Sequence, residues 1–419
     1  MPETYEDLVH QWIGSQGFRD PVEQETAWKR YNHILSPQHQ TESEASDPTA
    51  DSFQTSLSPF LGDETLAPHI FEVKFLTVPC NRIPWQPTDI QLQANQVVSV
   101  FTAGRVWFSR LLDMYLRPQA GLFCKIGVDG EVFNSTRDTH TFRVAESGGE
   151  LFLATQPPGM FANPAGGRLV ADLGAYDHVE GRIEMLVVVW KNDTNVQELL
   201  SQLDDSKTDA SCRSLLKQEK ERPQSEELSK IPGWQELWFL GQSTMYRQVD
   251  DRGSPCINCK PYQNVGILQK NISPTLNFGP DCVASWRWKF DSIPSRLRED
   301  TAMSHDYLSI AFEFESGRDI TYHPSWELPL EHGYWCPQAT WTDREYHVVI
   351  RSGTDYLGEW LSEERNLYDD YAKYIGNARM PKRITRVWLI AGNRWQRHDG
   401  EMTVKDISIT HDGATARIL

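Results

Sequence analysis

Several residues in the C-terminal half are of types that move protons or hold anions. His305 and Asp306 open a β-type run, His323 closes another near Trp326, and His398 follows Trp395. An imidazole titrates near neutrality, so His305 or His323 with Asp306 is the candidate proton-transfer pair. The competing reading makes each histidine a surface residue. Arg394 and Arg397 flank Trp395, and a guanidinium fork matches paired oxygens, so Arg394, or Arg287 upstream, is the candidate holder of an oxyanion. Solvated loop arginines are the alternative. Trp326, Trp335, Trp341 and Trp395, with His398, are candidate walls of a substrate site.

Strand parity divides one segment further. In Trp286-Arg287-Trp288-Lys289 the tryptophans share one face and the cations the other, so either the aromatic face meets a ligand or it is core. Cys256-Ile-Asn-Cys259 has the spacing of half a zinc site, but no second pair or His-x-x-x-His partner completes it, and a loop with paired thiols is expected. The chain has no dinucleotide fingerprint, Walker segment, Gly-x-Ser-x-Gly or His-Glu-x-x-His, which removes the common nucleotide, hydrolase and metalloprotease classes. Neither a metal nor a cofactor is expected.

The elements that must carry these residues are mostly strands. Residues 1–60 hold helical spacing over 3–35 (Leu8, Trp12, Ile13, then Trp28, Tyr31, Ile34, Leu35) and a polar stretch, Ser36 to Pro59, expected to be a mobile linker. Residues 61–192 read as a first sandwich, with strands at Ile70–Val78, Gln96–Ser109, Leu122–Val128, Thr139–Val144, Glu150–Ala154, Gly167–Asp172 and Gly181–Trp190. Leu186 to Trp190 reads as a central strand buried on both faces. Residues 193–231 form a polar, helical connector with Leu199, Leu200, Leu203, Leu215 and Leu216 on one side. Residues 232–419 form a second, aromatic-rich sandwich, with strands at Cys282–Phe290, Asp306–Phe314, Tyr346–Arg351, Arg386–Ala391 and Met402–Thr410, and a helix over Glu359–Ile375. The expected fold is mainly β: two consecutive jelly-roll-like β-sandwich domains with short N-terminal helices.

Composition narrows the partners. With 41 Lys+Arg against 58 Asp+Glu the net charge is −17, and the basic residues are scattered, so nucleic acid is not an expected partner. No apolar run approaches the roughly 20 residues that span a bilayer, and the first residues lack a secretory pattern, so a cytoplasmic protein is expected. The 7 cysteines are widely spaced in a chain large enough to fold without cross-links, and free thiols are the default. Asn134-Ser-Thr and Asn271-Ile-Ser are then chance glycosylation matches. Oligomer formation is compatible with the sequence.

The wording Leu122-Phe-Cys-Lys-Ile-Gly-Val-Asp-Gly, followed by Gly148-Gly-Glu-Leu-Phe-Leu153 and the loop from Gln156 to Gly167, resembles the galactose-binding-like domain of the bacterial PA-I type lectins. That family holds calcium and sugar with Asn-Asp and Asp-Asn pairs. Here those pairs fall on Gln156-Pro157 and Ala162-Asn163, with no carboxylate between, so the resemblance implies the fold without the calcium site. Trp286-Arg-Trp-Lys-Phe-Asp, His305-Asp-Tyr, Val348-Val-Ile-Arg-Ser-Gly353, Glu364-Arg-Asn366 and Asp369-Asp-Tyr371 resemble, in that order, an uncharacterised domain family of bacteria and fungi, expected to be a concanavalin-like or galactose-binding-like sandwich. That family continues with an Asp-Thr-Asp-like segment where this chain has Arg394, Trp395, Arg397 and His398.

The length and two-sandwich order resemble the fungal hetero-Diels–Alderases of tropolone sesquiterpenoid biosynthesis. That resemblance implies a cofactor-independent pericyclase of secondary metabolism, which dehydrates a hydroxymethyl tropolone to a quinone methide and directs its addition to a humulene-type alkene. Its partners would be small apolar and tropolone-like substrates. The residues named above would supply proton transfer, the oxyanion partner and a dry cavity. The alternative function is non-enzymatic: a lectin-like protein that binds carbohydrate.

Overall fold

The computed structural model describes residues 47–419 apart from 83–84, 111–113, 135–136, 146, 156–160, 168–178, 193, 302–303 and 339–340. The expected helices over 3–35, the first part of the expected linker and most of the expected strand Gly167–Asp172 lie outside the described residues. The chain divides into two compact units: one runs to Glu227 and includes Trp238–Gly241, and the other comprises Leu228–Leu237 and Gln242–Leu419. Both are β-sandwiches, and the fold is mainly β.

In the first unit the elements are α1 (Ala50–Leu61), β1 (Ile70–Pro79), β2 (Gln86–Leu92), β3 (Val97–Ser109), β4 (Met114–Leu116), α2 (Pro118–Gly121), β5 (Leu122–Ile126), β6 (Thr139–Arg143), β7 (Gly149–Thr155), β8 (Glu180–Trp190), α3 (Val196–Gln202) and α4 (Ala210–Ser229). One sheet has the order β1-β8-β3-β4, with β6 also paired to β3, and the other is β2-β7-β5. Strand β8 is buried on both faces: Leu186, Val188 and Trp190 pack under the helices, while Val187 and Val189 are buried on the other side.

The polar stretch before β1 is not a linker throughout. Phe53, Leu57 and Phe60 recur at helical spacing among its serines and threonines, and Thr49 closes a capping box with Ser52 at the start of α1. All three are buried, Phe60 edge-on to Phe101 at 5.3 Å, and burial of such side chains at roughly 1.5–3 kcal/mol each offsets the ordering cost. The helical connector joins the same core through Leu200, Cys212, Leu215 and Leu216.

The second unit contains β9 (Gln235–Glu236), β10 (Tyr246–Asp251), β11 (Ser254–Cys259), β12 (Asn264–Asn277), β13 (Val283–Ser292), β14 (Tyr307–Phe314), β15 (Asp319–Ser325), β16 (Gly333–Trp335), β17 (Glu345–Ser352), β18 (Leu361–Asn366), α5 (Leu367–Tyr374), β19 (Arg383–Asn393), β20 (Glu401–His411) and β21 (Ala414–Arg417). Its six-stranded sheet has the order β10-β11-β20-β13-β18, with β21 on β20, and its seven-stranded sheet the order β16-β17-β15-β14-β19-β12-β9. Trp286 joins the two layers, its ring 5.7 Å from Phe312 and 5.4 Å from Tyr322. Trp286, Trp288 and Phe290 are therefore core, and Arg287 and Lys289 lie on the opposite face of β13.

Two local expectations are corrected. The segment Glu359–Ile375 is not one helix: Leu361–Asn366 pairs along β13, with Leu361 opposite Trp288 and Glu363 opposite Trp286. Glu363 accepts a bidentate pair from Arg351 at 2.8 and 2.9 Å and the Trp288 indole N–H at 2.9 Å, so edge pairing outweighs the helix propensity of Ser-Glu-Glu-Arg. The helix starts only at Leu367, capped by Asn366, which accepts from the Tyr368 and Asp369 amides. The Cys256/Cys259 segment is strand β11, not a loop, and a separation of three puts the two buried thiols on opposite faces, unable to share a ligand.

Glu331 ties β18 and α5 to the turn before β16. It accepts from Arg365 and Lys373, at 2.7 and 2.8 Å, and from the Tyr374 hydroxyl. The Arg365 hydrogen bond, with those of Lys373 and Tyr374, holds the carboxyl down at about 2. A depressed folded-state value contributes stability that is present above the unfolded value of about 4.3 and is lost as pH falls through about 2. Glu331→Gln is therefore expected to lower the urea midpoint at pH 7, with the difference from wild type closing between about pH 4 and pH 2. A difference unchanged at low pH would show that the charge is not the cause.

Candidate functional site

In β14, β15 and β17 alternate residues enter the sandwich core (Leu308, Ile310 and Phe312; Ile320 and Tyr322; Val348 and Ile350). By parity Tyr307, Thr321, His323 and His347 share the other face of the sheet, yet they too are buried. That face carries a histidine and tyrosine cluster. The His347 ring lies 4.9 Å from His305, 4.9 Å from Tyr307 and 5.5 Å from His323, and stacks on Tyr334 at 5.0 Å with a 12° interplanar angle. Register explains the stack, because Tyr334 pairs with His347 across β16 and β17.

The hydrogen bonds define the proton positions. His305 Nδ1 lies 2.6 Å from the Glu299 carbonyl, which can only accept, so Nδ1 carries the proton and Nε2 faces Cys336 Sγ at 3.5 Å. His323 Nδ1 donates likewise to the Pro324 carbonyl at 2.9 Å, and its Nε2 accepts from the Tyr334 hydroxyl at 3.1 Å. Burial, then the neighbouring His347, holds both His305 and His323 well below the ordinary histidine range. Both rings are therefore neutral at neutral pH and are not resident acids. Burial pushes the Glu299 carboxyl and the Cys336 thiol well up.

The sequence-derived set is only partly brought together. His305 and His323 share the cluster, and the Arg394 charge is close enough to contribute to the lowering of His305. Asp306 is not paired with an imidazole. Its carboxylate accepts the backbone N–H groups of Arg394 at 2.7 Å, Trp395 at 2.9 Å and Gln396 at 2.7 Å, so it anchors the loop after β19. Arg287 lies on the far face of the other sheet, its guanidinium 5.6 Å from the Trp360 ring.

The tryptophans do not line one wall. Trp335 sits on the core side of β16, 4.9 Å from Tyr346, and Trp326 is half-buried beneath Arg296 at 3.7 Å. Trp341 is half-buried in the turn before β17, and Trp395 and His398 are buried in the loop that Asp306 holds. His347, Cys336, Glu345 and Tyr334 were absent from the expected site. The parity of Tyr346-His347-Val348 was the available signal, since an imidazole alternating with core residues must face another way. His305, Cys336, Glu345 and His347 are also the residues here with the donor types to hold a metal.

A second concave feature belongs to the first unit: a cleft of about 600 Å³ between β3, β4, α1 and α4. Its wall pairs carboxylates with guanidiniums. Asp47 lies 3.5 Å from Arg105 and accepts the Trp107 indole N–H at 2.7 Å, Arg117 bonds Asp138, and Asp209 accepts from Ser56 at 2.7 Å. The Arg105 guanidinium lies over the Tyr115 ring at 4.7 Å. Asp138 is almost fully buried, and among the described residues its Oδ1 accepts no hydrogen bond.

Residues 232–408 match a family described as a protein of unknown function, DUF3047. Apart from Trp238–Gly241 the match falls in the second unit, and it brings no activity with it. No curated protein matches. Among solved structures, the N-terminal domain of EclA, a PllA-like lectin, aligns at 12% identity over 29% of this chain and 98% of its own, with a TM-score of 0.22. The CBM22-1-CBM22-2 tandem of Xyn10C from Paenibacillus barcinonensis aligns at 9% identity over 80% and 82%, with a TM-score of 0.23. The xyloglucanase domain of NopAA from Sinorhizobium fredii gives 8%, 43% and 93%, with 0.24. Likenesses this distant assign neither ligand nor reaction.

The role of Asp306 is separable by substitution. Asp306→Asn keeps the shape but replaces an acceptor with an N–H₂ group facing backbone donors, and is expected to cost about 2 kcal/mol in chemical denaturation. Unchanged stability would return Asp306 to the pool of proton-transfer candidates.

Proposed function

We propose that the protein binds a neutral, hydroxyl-rich ligand, a carbohydrate by class, in the cleft of its first unit. The observation that carries this reading is the lining of that cleft, where the Asp47 and Asp209 carboxylates and the Arg117 guanidinium, itself bonded to the buried Asp138, stand around one space. A sugar hydroxyl can donate to a carboxylate and accept from a guanidinium at once, whereas an anion would meet a wall with three carboxylates against two guanidiniums. Ser52, Ser56, Thr102 and Gln218 add neutral donors and acceptors around the same space. The ligand needs no bridging calcium in this arrangement, which agrees with a lectin-like loop that lacks carboxylates between Gln156 and Gly167.

Full-length protein is expected to show saturable binding to members of an array of neutral mono- and oligosaccharides without added calcium. Asp138→Asn is expected to weaken that binding about tenfold by titration calorimetry, at unchanged fold by circular dichroism. An array without saturable binding, or equal affinity in the variant, would remove the carbohydrate reading.

A second reading, the tropolone-coupling pericyclase, draws on one observation: neutral His305 and His323 on one buried face, with the Tyr334 phenol hydrogen-bonded to His323. Such a face offers a base and a phenolic donor for loss of water from a hydroxymethyl tropolone. Incubation with that compound and humulenol is then expected to give faster adduct formation and a facial bias relative to buffer, both reduced by Tyr334→Phe. Identical rate and selectivity with and without protein would exclude it.

A further inference from the structure

We infer that His305, Cys336, Glu345 and His347 form a binding site for a borderline-soft divalent metal ion, zinc by its donor set. The ligand atoms of all four lie within 4.8 Å of one another, and all four residues are buried. Metal–ligand bonds of about 2.0–2.3 Å arranged tetrahedrally give donor–donor edges of roughly 3.3–3.8 Å. Two such edges are present: Cys336 Sγ to His305 Nε2 at 3.5 Å, and His347 Nε2 to Glu345 Oε2 at 3.5 Å. Modest closure of the remaining distances completes the tetrahedron.

Independent features of the cluster point to a ligand. The His347 side chain has no exposed surface, and neither ring nitrogen has a hydrogen-bond partner among the described residues. A buried imidazole without partners costs free energy that a metal bond would recover. Because His305 donates Nδ1–H to the Glu299 carbonyl, its Nε2 lone pair is turned toward Cys336 and the cluster. An outer hydrogen bond of this kind orients ligating histidines. Hydrogen bonds of the Cys336 thiol with His305 and Glu345 account for three of the four residues but leave the His347 ring without a hydrogen bond among the described residues.

Charge closes as well. Binding converts the Cys336 thiol to a thiolate with release of one proton. The dication, the thiolate and the Glu345 carboxylate then sum to zero, with both imidazoles neutral. Imidazole, thiolate and carboxylate together suit zinc better than magnesium or calcium, which take oxygen ligands. The topology gives the ion a task. His305 precedes β14, Cys336 follows the three-residue edge strand β16, and Glu345 and His347 lie on β17, so one ion would pin the edge and the preceding loop to the sheet. The inference does not depend on what the first unit binds.

Full-length protein produced with zinc in the medium is expected to retain about one zinc per chain through gel filtration, read by elemental mass spectrometry. After removal of metal with a chelator, the unfolding temperature is expected to fall. Cobalt titration of that protein should bring tetrahedral d–d bands and a thiolate-to-cobalt charge-transfer absorption. Cys336→Ser should abolish the charge-transfer feature, and His347→Ala should weaken cobalt binding at least ~10-fold. If either variant fails to fold, the wild-type zinc content and cobalt spectrum decide. Protein that emerges metal-free and gives no cobalt spectrum, or metal retention unchanged in both folded variants, would overturn the site.

Discussion

The carboxylate of Asp306 organises the part of the second unit that carries the buried histidine and tyrosine cluster. Three consecutive amides, those of Arg394, Trp395 and Gln396, converge on it, and no neutral side chain of that size could accept all three. Its grip fixes the backbone of Arg394 to Gln396, and the Gln396 side-chain Nε2 in turn donates to the Ser295 hydroxyl at 2.7 Å and the Ser304 carbonyl at 3.2 Å. His305 follows Ser304 directly, so the loop and the histidine are located by one network. Burial itself pushes the Asp306 carboxyl up while the amides pull it down. A buried acid held this way is a structural element first, and its neighbours inherit their positions from it.

Burial of both faces of the seven-stranded sheet has a further consequence. A sheet that faces water on one side can place histidines there at no cost, whereas here Thr321, His323 and His347 are fully buried. Each must be matched or must serve a ligand. His323 is matched, by the Pro324 carbonyl and the Tyr334 hydroxyl, and His347 is not. The first unit shows a related arrangement around Asp138, where one carboxylate oxygen is bonded by Arg117 and the other accepts nothing among the described residues. Asp138 Oδ1 and the two His347 ring nitrogens are among the buried polar atoms that lack a hydrogen bond within the described residues, and each such group needs a physical account.

Much of the strand pattern was legible in the residues. Leu186 to Trp190 was readable as a doubly buried strand because a run of apolar, β-branched residues has no face to offer water. Trp286 and Trp288 alternate with Arg287 and Lys289, so their choice between core and ligand face was open at the sequence level and was decided by Phe312 and Tyr322 arriving from the other sheet. The helical pattern of Phe53, Leu57 and Phe60 was present but masked by the serines and threonines between them. Glu359 to Asn366 misled in the opposite way, because glutamate and arginine favour helices locally while Glu363 is claimed by Arg351 and Trp288.

Composition and periodicity by themselves determined that this chain is mainly β, strongly acidic and provided with two sandwich cores, since each follows from residue type and a short repeat. Which polar residues meet was decided by tertiary structure alone. His305, Cys336, Glu345 and His347 are spread over 43 positions, and their meeting depends on the parallel pairing of β15 with β17 and on the register of β16 against β17. The separation of Asp306 from the role of base, and of Arg287 and Trp335 from the cluster, has the same origin. Residues far apart in sequence share a site only when strand order and register bring their faces together, and neither is encoded in any short stretch of the chain.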